Sequence, residues 1–140
     1  MPLAAFIAWL LTAGGGLCLA AIWLIEYDPA LAPTRLPRTA VSAHGLLAVI
    51  GLYLWWKYVS SDRSGFALTA GLILVPVVLL GLLMGSRWIK VYRTHKNPAP
   101  PLIAEGGIPP ERHLPLPLVV AHGVLGVATA VLVALAGLGF

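Results

Sequence analysis

Apolar residues run through this chain in four long stretches, approximately residues 3–25, 41–58, 66–86 and 116–138, separated by segments that hold the charged residues and most of the prolines. Each stretch is close to the roughly 20 residues a helix needs to cross a hydrocarbon core of about 30 Å. The runs are continuous and do not alternate. In lipid every backbone N–H and C=O must be satisfied internally, so the pattern predicts helices, not the strands of a closed barrel. The expected fold is an all-α, four-transmembrane-helix bundle occupying 1–140 as one integral membrane domain. Pro76, inside the third stretch, predicts a kink.

A repeat overlays the four stretches. Gly16-Leu17 and Trp23-x-x-x-Tyr27 return at one constant offset as Gly81-Leu82 and Trp88-x-x-x-Tyr92, and Ala43-His44-Gly45 returns as Ala121-His122-Gly123 after a longer interval. The chain therefore reads as two helical hairpins, about 1–60 and about 64–140. Each contains two crossings, so both enter the membrane with the same orientation and a pseudo-twofold axis along the membrane normal can relate them. That axis would make His44 and His122 equivalent, facing each other if the second and fourth helices are diagonal.

Composition agrees with a membrane solvent: hydrophobic residues make up 59%, charged residues 10%, and the mean hydropathy is +0.92. Arg35, Arg38, Arg87, Lys90, Arg93, Lys96 and Arg112 follow the first and third stretches, whereas the opposite side carries only Lys57 and Arg63. The positive-inside rule then predicts a plasma (inner) membrane protein with cytoplasmic long loops and both termini outside. The basic pI of 9.6 reflects this topology and contact with anionic lipid, and no basic tail or stacking platform indicates nucleic acid. No Lys or Arg precedes the first stretch, which is longer than a signal-peptide core, so it is read as retained. Cys18, the single cysteine, is read as a small packing residue. The segment 95–117 holds seven prolines and is expected to be an extended surface segment, acting as a lid, a docking surface or a plain connector.

The candidate chemistry begins with two histidines inside apolar segments. Ala48 and Gly51 follow His44, and Gly126 and Thr129 follow His122, at the four- and seven-residue spacings that share a helical face. Gly45 and Gly123 add room for close backbone approach. The histidines are thus expected above a strip of small residues, a slot that suits a flat macrocycle such as haem with its propionates toward Arg35, Arg38, Arg87 or Lys90. The same small residues also serve to pack membrane helices with no cofactor present. His95, His113, Glu105 and Glu111 make a second candidate set, in which the loop folds over the bundle mouth to hold zinc, copper or iron. Trp55, Trp56 and Tyr58 on one side, and Trp23, Trp88, Tyr27 and Tyr92 on the other, are expected at the membrane interfaces. No CxxC, HExxH, phosphate-binding glycine loop or GxSxG motif is present.

Ala43-His44-Gly45 and Ala121-His122-Gly123 on a four-helix span resemble the membrane-embedded b-type cytochromes, including the cytochrome b561 type. The resemblance implies haem b held through both axial positions by His44 and His122, and electron transfer to a redox partner or a quinone. The diheme members of that type use four ligands distributed toward both faces, whereas this chain has no histidine on the external side; one haem near the cytoplasmic face is what the resemblance supports. Three functions stay open on the sequence: a small cytochrome, a metal- or haem-binding protein gated by the histidine-bearing loop, and a cofactor-free accessory subunit packing against itself or a larger membrane complex. Whether the chain has substrate chemistry of its own is open as well.

Overall fold

A computed structural model describes residues 1–28, 30, 34–94 and 108–139, and every element among them is helical. The order is α1 (Pro2–Ile25), α2 (Arg38–Ser61), α3 (Ser64–Thr94), a 3-10 turn (Pro110–His113) and α4 (Leu116–Gly137). All four α-helices are long and apolar enough to cross a membrane. The large apolar side chains Leu17, Leu24, Leu46, Leu68, Leu82 and Val124 lie exposed on the perimeter. A continuous apolar exterior of this kind is matched by lipid, not by water.

The helix boundaries follow local chemistry. Pro37 and Pro115 have extended backbone and stand immediately before α2 and α4. A proline disfavours helical geometry in the residue before it, so each helix starts just after a Leu-Pro pair, Leu36-Pro37 and Leu114-Pro115. α2 ends at Asp62, whose φ of 52° is the left-handed conformation that Asp tolerates, and the chain reverses there into α3. α3 runs unbroken through Pro76 and continues eight residues past the expected end at Ser86. Its 31 residues span about 46 Å at 1.5 Å each, more than the hydrocarbon core requires, so Arg87, Lys90 and Arg93 ride on an extended helical end. Buried Trp88 and Val91 keep that end packed.

α2 packs most extensively on α3 and α1 on α4; α1 meets α2, and α3 meets α4, along lesser seams, which leaves α2 and α4, like α1 and α3, on the diagonals. The tightest packing thus joins the two sequence repeats to each other, and the hairpins α1–α2 and α3–α4 are not the closely packed units. Two buried clusters fill the interior. One, toward the chain termini and the α2–α3 turn, centres on Trp9, Trp55, Leu74, Val77 and Val133. The other, toward the long loops, is built from Trp23, Leu36, Trp88 and Leu114. Its two tryptophans stack on their expected tyrosines at matching geometry, Trp23 on Tyr27 at 5.1 Å and 29° and Trp88 on Tyr92 at 5.1 Å and 28°. Trp23, Trp88 and Trp55 are therefore interior residues and not an exposed interfacial belt.

The proline-rich loop differs from the expected surface segment where it is described. Pro110 and Glu111 are buried, and the 3-10 turn docks against α1 and α3. Glu111, with no exposed surface, accepts hydrogen bonds from the Thr34 hydroxyl at 3.1 Å and from the Arg35 backbone N–H. Burial of a carboxylate is costly unless its oxygens are hydrogen-bonded, and these two donors meet that need. The second loop is thereby fastened across the first at one end of the bundle.

Gly51 shows how closely the other end is packed. A Cβ built there would stand 2.7 Å from Cζ2 of Trp9, a side chain only 2% exposed. Gly51→Ala should therefore destabilise the protein by about 1–3 kcal/mol through overpacking, seen as a lowered midpoint in detergent-based thermal unfolding. An unchanged midpoint would mean that Trp9 has room to retreat.

Candidate bis-histidine site

His44 sits near the start of α2 and points at α3; its Nδ1 lies 2.9 Å from the Val77 carbonyl oxygen. His122 sits near the start of α4 and points at α1; its Nδ1 lies 3.0 Å from the Thr12 carbonyl oxygen. A carbonyl can only accept, so in both rings Nδ1 carries the proton, and in the neutral imidazole Nε2 keeps its lone pair. Fixing one ring nitrogen on a backbone carbonyl, leaving the other as a ligand, is the usual arrangement around metal-binding histidines.

Glycines make these contacts possible. In a helix the carbonyl of residue i points toward residue i+4, so the side chain at i+4 stands beside any ring that approaches that carbonyl. Four residues after Thr12 comes Gly16, and four after Val77 comes Gly81. A Cβ on Gly16 would lie 3.0 Å from Cε1 of His122, and one on Gly81 3.3 Å from Cε1 of His44. Both imidazoles thus rest on the bare backbone of the facing helix.

The two rings meet across the α2–α4 diagonal with centroids 6.2 Å apart and planes inclined at 70°. Two imidazoles on opposite sides of one metal, each with a bond of roughly 2.0–2.1 Å, would place their centroids about 6 Å apart. The separation and the donor set of two Nε2 atoms fit a single metal held by two nitrogen ligands. The site lies between the two hydrophobic clusters: Val41 packs on one and Ala48 on the other, one on each side of His44 along α2. A flat ligand between the rings would enter along the two lesser seams, separating α2–α3 from α1–α4.

The expected slot lining is only partly in place. Ala48 and Gly126 are half-buried near the histidines, but Gly51 is filled by the Trp9 ring and Thr129 is taken up in a 3.0 Å contact with the Thr12 hydroxyl. Gly45 and Gly123 are exposed, with open space where a Cβ would stand, so the close approaches fall on Gly16 and Gly81 instead. Arg38 opens α2 and is exposed; Arg87 is also exposed and donates to the Arg35 carbonyl at 3.2 Å.

Of the loop ligands, His113 stands 3.6 Å from Glu26, and Glu111 is engaged with Thr34 and Arg35. His95 and Glu105 lie outside the described residues. Among the described residues, no three His, Cys, Asp or Glu side chains gather as a metal set.

Sequence reasoning passed over Thr12 and Val77, whose carbonyls accept from the two rings, because any residue type supplies a carbonyl. Yet the offset that maps Trp23 onto Trp88 also maps Thr12 onto Val77 and Gly16 onto Gly81. Similarly, Leu36-Pro37 precede His44 at the spacing at which Leu114-Pro115 precede His122. Extending both registers picks out the ring supports and the two leucines that pack with Trp23 and Trp88. Comparison of the chain with protein-family profiles, with curated proteins and with solved structures yields no match.

Proposed function

We propose that this chain is a small integral membrane b-type cytochrome that binds one haem between His44 and His122. The observation that carries the proposal is the pair of facing imidazoles, 6.2 Å apart, each with Nδ1 committed to a backbone carbonyl. With each Nδ1 donating to a backbone carbonyl, each neutral ring keeps its Nε2 lone pair available as a ligand. The bound iron would supply reversible one-electron chemistry.

The protein's own contribution is positional and electrostatic. Val77 and Thr12 orient the rings, and the clusters around Trp9–Trp55 and Trp23–Trp88 keep water from the site along the bundle axis. Burial of this kind is one of the levers that sets a haem potential. The basic end formed by Arg35, Arg38, Arg87 and Lys90 is assigned to the cytoplasmic side, with both termini outside, and it would receive the propionates. The halves are taken to be related by a pseudo-twofold axis, which passes between the two rings. A small redox carrier or a quinone would be the electron partner.

The test is an absorption spectrum of detergent-purified protein, oxidised and then dithionite-reduced, with iron analysis on the same sample after haem has been supplied during expression. A sharp reduced α-band with about one iron per chain is the expected result for bis-imidazole haem. A colourless, iron-free protein that is otherwise folded would overturn the proposal.

A further inference from the structure

Trp23 and Trp88 occupy matching places, each seven residues past the glycine that receives a histidine ring, each stacked on its tyrosine, and each 6% exposed. Their indole N–H groups differ. Nε1 of Trp23 donates to the Thr34 hydroxyl at 3.2 Å. Nε1 of Trp88 is out of contact with solvent and has no acceptor, the one such buried side-chain atom among the described residues. Buried donors are almost always satisfied, and an exception calls for a missing partner.

Among the described residues Trp88 has no counterpart of Thr34. Arg112 precedes His122 at the spacing at which Thr34 precedes His44, and its guanidinium lies over the Tyr92 ring at 5.5 Å. The described carboxylates at this end are engaged elsewhere: Glu111 with Thr34 and Arg35, Glu26 beside His113, and Asp28 with the Ala30 N–H. Arg35, Arg38 and Arg87 meanwhile make the end basic, which favours an anionic acceptor supplied from outside the chain.

Position selects the kind of acceptor. From Gly81, against which His44 rests, to Trp88 is two helical turns, about 10.5 Å along α3, and residues seven apart share a helical face. Trp88 therefore lies on the His44 side of the α2–α3 pair, displaced toward the basic end. That is where the acidic edge of a macrocycle lying between the helix pairs would come. We infer that the Trp88 indole N–H is the anchoring donor for a carboxylate arm of the haem held by His44 and His122, an inference that rests on the cytochrome reading above. Trp88 is thus a positioning residue, kept dry and unpaired until the arm arrives, while its counterpart Trp23 is spent on fastening the first loop.

The experiment compares release of ordinary haem and of haem with both propionates esterified, transferred to excess apomyoglobin, from the wild-type protein, Trp88→Phe and Trp23→Phe. Loss of a hydrogen bond to a charged group predicts that Trp88→Phe keeps the bis-imidazole spectrum and releases ordinary haem about tenfold faster. The esterified haem should leave wild type faster than ordinary haem does, and should leave wild type and Trp88→Phe at closely similar rates. Trp23→Phe, whose lost N–H served Thr34, should retain the wild-type ratio between the two haems. Equal release of ordinary haem from wild type and Trp88→Phe would overturn the inference, as would a Trp88→Phe effect that persists in full with the ester. Should Trp88→Phe fail to fold, the wild-type comparison decides, since identical release of the two haems would show that no carboxylate arm is anchored. A wild-type protein that takes up no bis-imidazole haem would overturn the cytochrome reading and this inference together, whereas normal uptake without the Trp88 effect would overturn this inference alone.

Discussion

Replacing either His44 or His122 by alanine is expected to abolish the bis-imidazole haem spectrum. Each ring supplies one of two Nε2 donors, and among the described residues no third histidine stands in reserve, since His113 is beside Glu26. Loss of a residue that merely supports a metal ligand typically costs 10–100-fold in metal affinity, and loss of the ligand itself should cost more. His113→Ala should leave the spectrum intact. A substitution that simply unfolded the bundle would also remove the colour, so external imidazole provides the decisive comparison. In a folded His44→Ala protein the vacated space above Gly81 should admit imidazole and restore a six-coordinate spectrum. Both single variants retaining normal bis-imidazole absorption would overturn the assignment of these two ligands.

The two single variants need not fail equally. Around His122 the Thr12 and Thr129 hydroxyls stand 3.0 Å apart, and each also reaches a carbonyl one turn back on its own helix. Around His44 the matching places are Val77 and Gly51, with Trp9 packed onto Gly51. One ring therefore has a polar neighbourhood and the other an apolar one, a difference that follows from the residues themselves and not from the shared tripeptide.

The bundle was legible from hydropathy because lipid imposes a nearly one-to-one relation between an apolar run and a helix. The ends were harder. α3 continues past Ser86 through Arg87, Lys90 and Arg93 because a helix leaving the membrane satisfies its own backbone and loses nothing by carrying charge, so the charge marks the edge of the bilayer and not the end of the helix. The histidine pair was visible as a repeated tripeptide, but its neighbours were misplaced. Gly45 and Gly123 are adjacent to the histidines in sequence, yet on a helix successive residues diverge by about 100°, and these two face outward. The glycines that matter, Gly16 and Gly81, lie on the other helices and were conspicuous only as part of the repeat. Glu111 was hidden for a different reason. A carboxylate in a proline-rich loop looks solvated until the loop's fold brings the Thr34 hydroxyl and the Arg35 N–H to it.

Gly16 and Gly81 give the second large expected effect. Alanine at Gly16 would place its Cβ 3.0 Å from the His122 ring, and at Gly81 3.3 Å from the His44 ring, so either ring must withdraw from its carbonyl. Weakened support of a ligand predicts a haem affinity lowered by 10–100-fold, and Gly16→Ala, with the tighter contact, should be the more severe. Stability should respond differently. Alanine gains up to about 1 kcal/mol over glycine in a helix, against about 0.5–1.5 kcal/mol for a lost hydrogen bond, so the unfolding midpoint of the haem-free protein should move little. Gly85→Ala, on α3 with open space around its Cβ, should leave haem affinity unchanged. If the histidines served only as fasteners between helices, the Gly16 and Gly81 variants would show no cofactor effect to separate from stability. A large fall in haem affinity beside a nearly constant midpoint would instead place the function of these glycines in ring orientation, because a packing defect lowers the midpoint whether or not haem is present.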